Sequence, residues 1–215
     1  LSAVDNNLCM ATKLLGAQAG RTLDTISREV LAGGTNVQYG ENAVSARYLL
    51  TGGKESGNHY LTVDCIRRAV RFLKSQNAEK INGDFVAIIH PDVSYDLTSD
   101  PEWKYPHQYA DPKDIYEGEI GKIAGVRFVE TTEAKIFAGA GSGSKDVYAT
   151  LVLGADAYGV TEVEGGGLQH IVKQLGSAGT SDPLNQRATA GWKATKAAVR
   201  LVEPYMVRIE TTASA

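Results

Sequence analysis

The apolar positions of the chain follow two different periods. Over residues 5–32, Leu8, Leu15, Ala19, Leu23, Ile26 and Val30 recur at helical spacing and predict one long helix. At 1.5 Å per residue it would run roughly 42 Å, and Gly33 and Gly34 follow it as a left-handed stop would. Gly16 and Gly20 lie four apart inside it. Each costs on the order of 1 kcal/mol relative to alanine, so close packing against another element is the expected compensation. Residues 33–60 are polar and glycine-rich and read as a passage between substructures. A second helix is expected over 62–75. Ile66, Ala69, Val70 and Leu73 form its buried stripe, and Thr62 can cap it. Arg67, Arg68, Arg71 and Lys74 fall mostly on the other face, which suits water, nucleic acid or an acidic partner.

The period then changes. Phe85–Ile89 is an unbroken apolar run ended by His90 and Pro91, the pattern of a strand covered on both sides. Pro91 suits the first turn of a short helix reaching Leu97. The segment around which the chain is organised is 115–132, IYEGEIGKIAGVRFVETT. Gly118, Gly121 and Gly125 loosen its loop. Val126 and Phe128 then alternate with Arg127 and Val129 at the period of a strand. Residues 138–145, AGAGSGSK, read as a flexible tip. The string lacks the Gly-Lys-Ser/Thr ending of a phosphate loop and runs into a strand at 146–153. A turn at Gly165–Gly166–Gly167, a short strand over 168–173 and a turn over 181–187 come next. Residues 191–203 suit helix or strand equally, and 205–210 alternate as a strand with Tyr205, Val207 and Ile209 on one face.

Residues 100–117 form a loop rich in aromatics and proline, with Trp103, Tyr105, Tyr109 and Tyr116. Two readings stay open for it: an exposed protein interface, or a loop packed on its own domain.

Composition narrows the function. The 215 residues suffice for one large domain or two small ones. With 22 basic and 25 acidic residues the net charge is -3, which excludes a global nucleic-acid signature. No apolar run approaches the ~20 residues of a membrane helix. The chain opens at Leu1 without methionine, so further sequence is expected upstream. Cys9 and Cys65 both sit among apolar residues and are expected to be buried reduced thiols. His59, His90, His107 and His170 form no metal-binding spacing, and no GxSxG frames a serine. His90, ahead of Pro91, is expected to be structural. Glu117 and Glu119 could share a face, but such pairs are common in solvated loops. No catalytic residue, cofactor or metal ligand is assigned. An enzyme with scattered catalytic residues remains the rival from another class.

Five blocks in order complete the picture: TLDTISREVLAGG, DFVAIIHPDVSYDL, GEIGKIAGVRFVET, VYATLVLGADAYG and SDPLNQRATAGWK. Together, over residues 22–211, they resemble the tailed-phage major capsid proteins, in the branch typified by the coat protein of coliphage N-four. The resemblance implies an α+β capsid fold with a long spine helix at 5–32. It implies a peripheral domain of 1–55 and 181–215, holding the spine helix and late strands at about 188–212, and an axial domain of 56–180. Residues 191–203 become strand on the same ground. An N-terminal arm and extended loop would lie upstream of residue 1. The implied role is structural: a subunit assembling through pentamers and hexamers into an icosahedral shell around phage DNA. Its partners would be copies of itself, scaffold and portal proteins, and DNA on the inner face without sequence specificity, with no membrane. It would assemble in the bacterial host cytoplasm and reside in the virion. Within such a shell, the aromatic and proline content of the long loop suggests that Trp103, Tyr105, Tyr109 and Tyr116 are inter-subunit contacts at the ring centre. An encapsulin-like compartment shell of the same fold is the alternative.

Overall fold

The computed structural model describes residues 2–40, 44–52, 59–108, 121–161, 164–177, 179, 182–184 and 186–214, with the backbone alone in 2–8 and 105–108. In chain order the elements are α1 (Ser2–Ala32), β1 (Val37–Tyr39), α2 (Val63–Ser75), β2 (Phe85–Ile89), α3 (Pro91–Ser99) and α4 (Pro101–Gln108). Then come β3 (Lys122–Ile123), β4 (Val126–Glu130), β5 (Ile136–Phe137), β6 (Val147–Leu153), β7 (Tyr158–Val160), β8 (Gln169–Lys173), β9 (Thr189–Lys193), β10 (Ala198–Arg200) and β11 (Met206–Thr211). The chain forms two compact units: residues 1–27 with 160–198, and residues 28–159 with 199–215.

The larger unit is built on a seven-stranded mixed sheet in the order β1-β11-β6-β2-β4-β3, with β5 paired to β6. β6 is its spine. All seven of its residues are buried, because it lies between antiparallel β11 and antiparallel β2 and both its faces are covered. Tyr148 and Val152 join the main apolar cluster beneath α2 and α3, whereas Leu151 and Leu153 join a second cluster with Leu31, Ala157 and Met206.

The local chemistry explains the elements. Thr62 caps α2 by accepting from the Cys65 N–H at 3.5 Å, and Ile66, Ala69, Val70 and Leu73 are all buried. His90 caps α3, its Nδ1 accepting from the Asp92 N–H at 3.2 Å, and Pro91 occupies the first turn. β3 and β4 are joined through Ala124 and Gly125, both at positive φ (53° and 78°), as a tight hairpin turn requires. In β4, Val126 and Phe128 are buried while Arg127 and Val129 are exposed, the alternation expected from the sequence.

Several sequence expectations change. The passage 33–60 contains β1, which runs parallel to β11 with Val37 opposite Arg208. β2 is not equally covered on both faces: Phe85, Ala87 and Ile89 are buried, but Val86 and Ile88 are half-buried. The aromatic loop begins as a helix, α4. The late strands do not stay together. β9 pairs with β8, whereas β11 closes into the large sheet beside β6. Within 191–203, residues 191–193 and 198–200 are strand, 194–197 and 201–202 are irregular, and a single 3-10 turn starts at Glu203.

In the smaller unit, residues 2–27 of α1 are accompanied by the paired strands β8 and β9. Trp192 Nε1 donates to Gln18 Oε1 at 3.2 Å, and Lys196 Nζ to the Leu23 carbonyl at 3.3 Å.

Candidate assembly surfaces

The features that set this chain apart are its surfaces and the charged clamp that holds the end of its longest helix. Glu210 is fully buried in β11. Arg47 grips it with two bonds of 2.7 Å, Nε to Oε2 and Nη2 to Oε1, and Arg208 Nε adds a third at 2.8 Å to Oε1. The bonds to Glu210 hold the Arg47 guanidinium above its usual basicity, against the opposing effect of its partial burial. The Arg47 guanidinium also stacks 3.5 Å from the Phe137 ring centre. Arg208 Nη1 donates to the carbonyls of Ala32 and Gly34, and Arg200 Nη1 to that of Val30 at 3.1 Å. Two guanidiniums therefore satisfy carbonyls that the last turn of α1 leaves unpaired, at the negative end of its dipole.

Elsewhere α1 keeps one open face, although Ala19 is fully buried and Leu15, Leu23 and Val30 are half-buried. Met10 is 60% exposed, Leu14 69% and Ile26 41%. Nothing lies within 4 Å of a Cβ built on Gly16 or Gly20. The expected close packing of these glycines is thus not made among the described residues. Cys9 is exposed too, against expectation, whereas Cys65 is buried and its Sγ donates to the Gly40 carbonyl at 2.6 Å. On β8 and its flanks Leu168, Ile171, Val172 and Leu175 are all exposed. A two-stranded hairpin with so much open apolar surface is marginal in water, and contiguous apolar exposure marks interaction surfaces.

Trp103, proposed from sequence as an inter-subunit contact, is 5% exposed and packs edge-on against Phe128 at 5.4 Å between ring centres. It belongs to the core of its own unit. Tyr105 lies in α4, where only the backbone is described. Tyr109 and Tyr116, like Glu117, Glu119 and Gly118, lie outside the described residues.

The candidate chemical groups are scattered. His59 is buried, with Nδ1 accepting from the Thr51 N–H at 2.7 Å. The His90 ring packs at a tilt of 48° against Tyr148, 5.0 Å between centres, and the Tyr148 hydroxyl donates to Asp92 at 2.8 Å. Burial, reinforced by that bond, pushes the Tyr148 phenol up to about 12. His170 is exposed on β8, and for His107 only the backbone is described. Among the described residues no group of three or more His, Cys, Asp or Glu could hold a metal. The tip at 138–145 closes on itself: Gly141 N donates to Lys145 O at 2.8 Å and Gly139 N to Asp146 Oδ1 at 2.7 Å. No helix among the described residues is long and apolar enough to cross a membrane.

The sequence model of a family described as phage capsid protein matches residues 5–176, most of the chain. The chain belongs to the phage capsid protein family. This family is structural rather than enzymatic. Its fold agrees with solved phage structures at low identity. A chain of Mycobacterium phage Che8 superposes with a TM-score of 0.63 at 13% identity, over 93% of this chain and 61% of that one. The capsid of cyanophage P-SCSP1u gives 0.63 at 14%, over 96% and 68%. The encapsulin SrpI of Synechococcus elongatus, in its holo complex, gives 0.51 at 10%, over 99% and 66%. The protein therefore has the α+β tailed-phage capsid fold, and it spans less than two thirds of the Che8 chain. No curated protein matches it.

Proposed function

We propose that the protein is the major coat subunit of a tailed phage or prophage, of the branch typified by coliphage N-four. It assembles through pentameric and hexameric rings into an icosahedral shell that encloses double-stranded DNA. The observation that carries this reading is the family match over residues 5–176, joined to a capsid fold over nearly the whole chain. The exposed apolar side chains of α1 and β8 support it, because a shell subunit keeps such surface for its neighbours. Repeated contacts between identical subunits close rings and then a shell, and many weak contacts acting together make the assembly stable. The order of the five sequence blocks supports the N-four branch.

In this reading the spine helix and β9 belong to a peripheral domain and the excursion of 56–180 forms the axial domain, and the pairing of β8 with β9 supports counting residues 169–173 with the peripheral part. The entry of β11 into the large sheet supports counting residues 206–211 with the axial part. Tyr105, Tyr109 and Tyr116 are the ring-centre contacts. Trp103 supports them from the core. Scaffold and portal proteins are further partners, and assembly takes place in the host cytoplasm before the subunit becomes part of the virion.

A second reading, an encapsulin-like compartment, is favoured by the likeness to SrpI over 99% of the chain. Negative-stain electron microscopy of the protein expressed alone, with light scattering, tests both. Closed shells or rings are expected. A persistent monomer overturns self-assembly. Shells from infected or induced cells that protect DNA from nuclease support the phage reading, and shells filled with one enzyme instead support the compartment.

A further inference from the structure

The outer face of α2 reverses the charge of the chain. Its 13 residues hold four cations, Arg67, Arg68, Arg71 and Lys74, against one acid, Asp64, in a chain of net charge -3. Two of the four are engaged: Arg67 pairs with Glu102 at 2.6 Å and Arg68 with Asp64 at 3.3 Å. Among the described residues Arg71, Lys74 and Lys80 pair with no carboxylate.

These cations converge. Arg67, Arg71 and Lys74 border an open depression of about 420 Å³ that Val70 and Ala124 complete. Ala124 and Gly125 form the β3–β4 turn, and Lys80 Nζ reaches 3.5 Å from a Cβ built on Gly125. The helix thus brings three cationic side chains to the depression, one of them paired with Glu102, and the segment after α2 sets Lys80 beside the hairpin turn at its edge, all within the larger unit. The rim stands on firm elements: Val70 is buried on the inner side of α2, and Ala124 is fixed by its turn.

We propose that this rim is a contact for the phosphate backbone of duplex DNA, made without reading bases. The choice of duplex DNA as the occupant rests on the shell reading above; the polyanion chemistry rests on the rim itself. From Arg67 to Lys74 the helix rises about 10 Å, a length over which a duplex presents about six phosphate charges. Among the described residues no aromatic side chain lines the depression, so none of them stacks there on a splayed base. Arginine and lysine set on a rigid helix are phosphate-positioning groups and carry no sequence information. The rim gives a subunit of net negative charge one local place to touch DNA.

The test is fluorescence anisotropy of the purified full chain with a short labelled duplex across a salt series. Binding is expected, with log K falling by about 3 per decade of salt, as release of counterions from three or four phosphates requires. The double change Arg71→Glu/Lys74→Glu should weaken binding at low salt at least tenfold and flatten the salt slope, whereas Lys13→Glu on α1 should not. Both positions are exposed, and circular dichroism of the double variant verifies that it is folded. Undiminished binding by that folded variant overturns the proposal, as does no measurable binding by the unaltered chain. Competition by polyglutamate as strong as by unlabelled duplex overturns it in favour of an acidic protein segment. Shell formation is scored separately in the microscope. Shells with an unaffected double variant sink the rim and leave the coat reading standing. A lost contact without shells does the reverse.

Discussion

Arg47 and Glu210 lie 163 positions apart in sequence and meet through two parallel bonds of 2.7 Å, with the carboxylate fully buried. The pair joins the short helical turn Arg47–Leu49 to β11, which lies between β1 and β6 in the large sheet. Through Glu210 it also steadies Arg208, which holds the carbonyls at the end of α1. Removing one partner of a buried pair leaves the other charge uncompensated, at a cost of about 3–5 kcal/mol. Glu210→Gln keeps the volume and removes the charge. It should lower the unfolding free energy by about that amount in urea denaturation, with the slope unchanged. A loss below about 1 kcal/mol would show that water reaches Arg208 and relieves the burial.

Glu203 carries a pH dependence. Burial raises its carboxyl, but the Thr35 N–H at 2.5 Å, the Arg200 guanidinium and further bonds outweigh that and hold it below the ordinary 4.5. A depressed carboxylate contributes stability that is present above the unfolded value of 4.5 and is lost as pH falls through the lower folded value. Glu203→Gln should therefore melt below the unaltered protein at neutral pH, and the gap should close on acidification below 4.5. A gap that stays constant across that window would contradict the assignment.

Much of this architecture could be read from the sequence, and the exceptions share a cause. The stripe of α2, the Thr62 and Pro91 signals and the alternation of Val126 and Phe128 are local, and periodicity records local order. Periodicity does not say what an apolar stripe meets. The predicted stripe of α1 is buried or half-buried at Leu15, Ala19, Leu23 and Val30, but periodicity carries no sign of the open face at Met10 and Leu14 or of the exposure of Cys9. Glu210 gave no signal either, because its partner is fixed by strand order and not by spacing. β1 leaves no mark in the sequence, since three half-buried residues amid glycines have no detectable period. The aromatic content of 100–117 drew attention to Trp103, but composition cannot distinguish a side chain facing Phe128 from one facing a neighbour. The family itself came from the ordered blocks, which no single element supplies.

The burial of Trp103 separates two effects that its loop context had merged. Trp103→Ser should cost about 3–5 kcal/mol, as large-to-small changes of core aromatics do, and should lower the melting temperature of the unassembled chain. Tyr109→Ser tests ring formation with Trp103 intact. Fewer rings in the microscope at unchanged melting temperature are expected. Unchanged ring yield would remove the aromatic segment from the set of assembly contacts.

Gly16 and Gly20 discriminate between chain stability and assembly. Neither is at positive φ, and a Cβ at either meets nothing within 4 Å. In an exposed helix interior, glycine costs roughly 1 kcal/mol against alanine, mainly through backbone entropy. Gly16→Ala and Gly20→Ala should each raise the stability of the isolated chain, by up to about 1 kcal/mol, in a denaturant titration. A loss in either case would mean that the helix is more crowded there than its open surface indicates. Gly16→Leu should likewise not lower the melting temperature of the monomer. If the same leucine variant folds normally but yields few or no shells, the bare face of α1 is where a neighbouring subunit's backbone comes close, and the missing side chain at Gly16 is what admits it. If shells form normally, neighbouring subunits leave this face uncovered, and the exposed Met10 and Leu14 need another explanation.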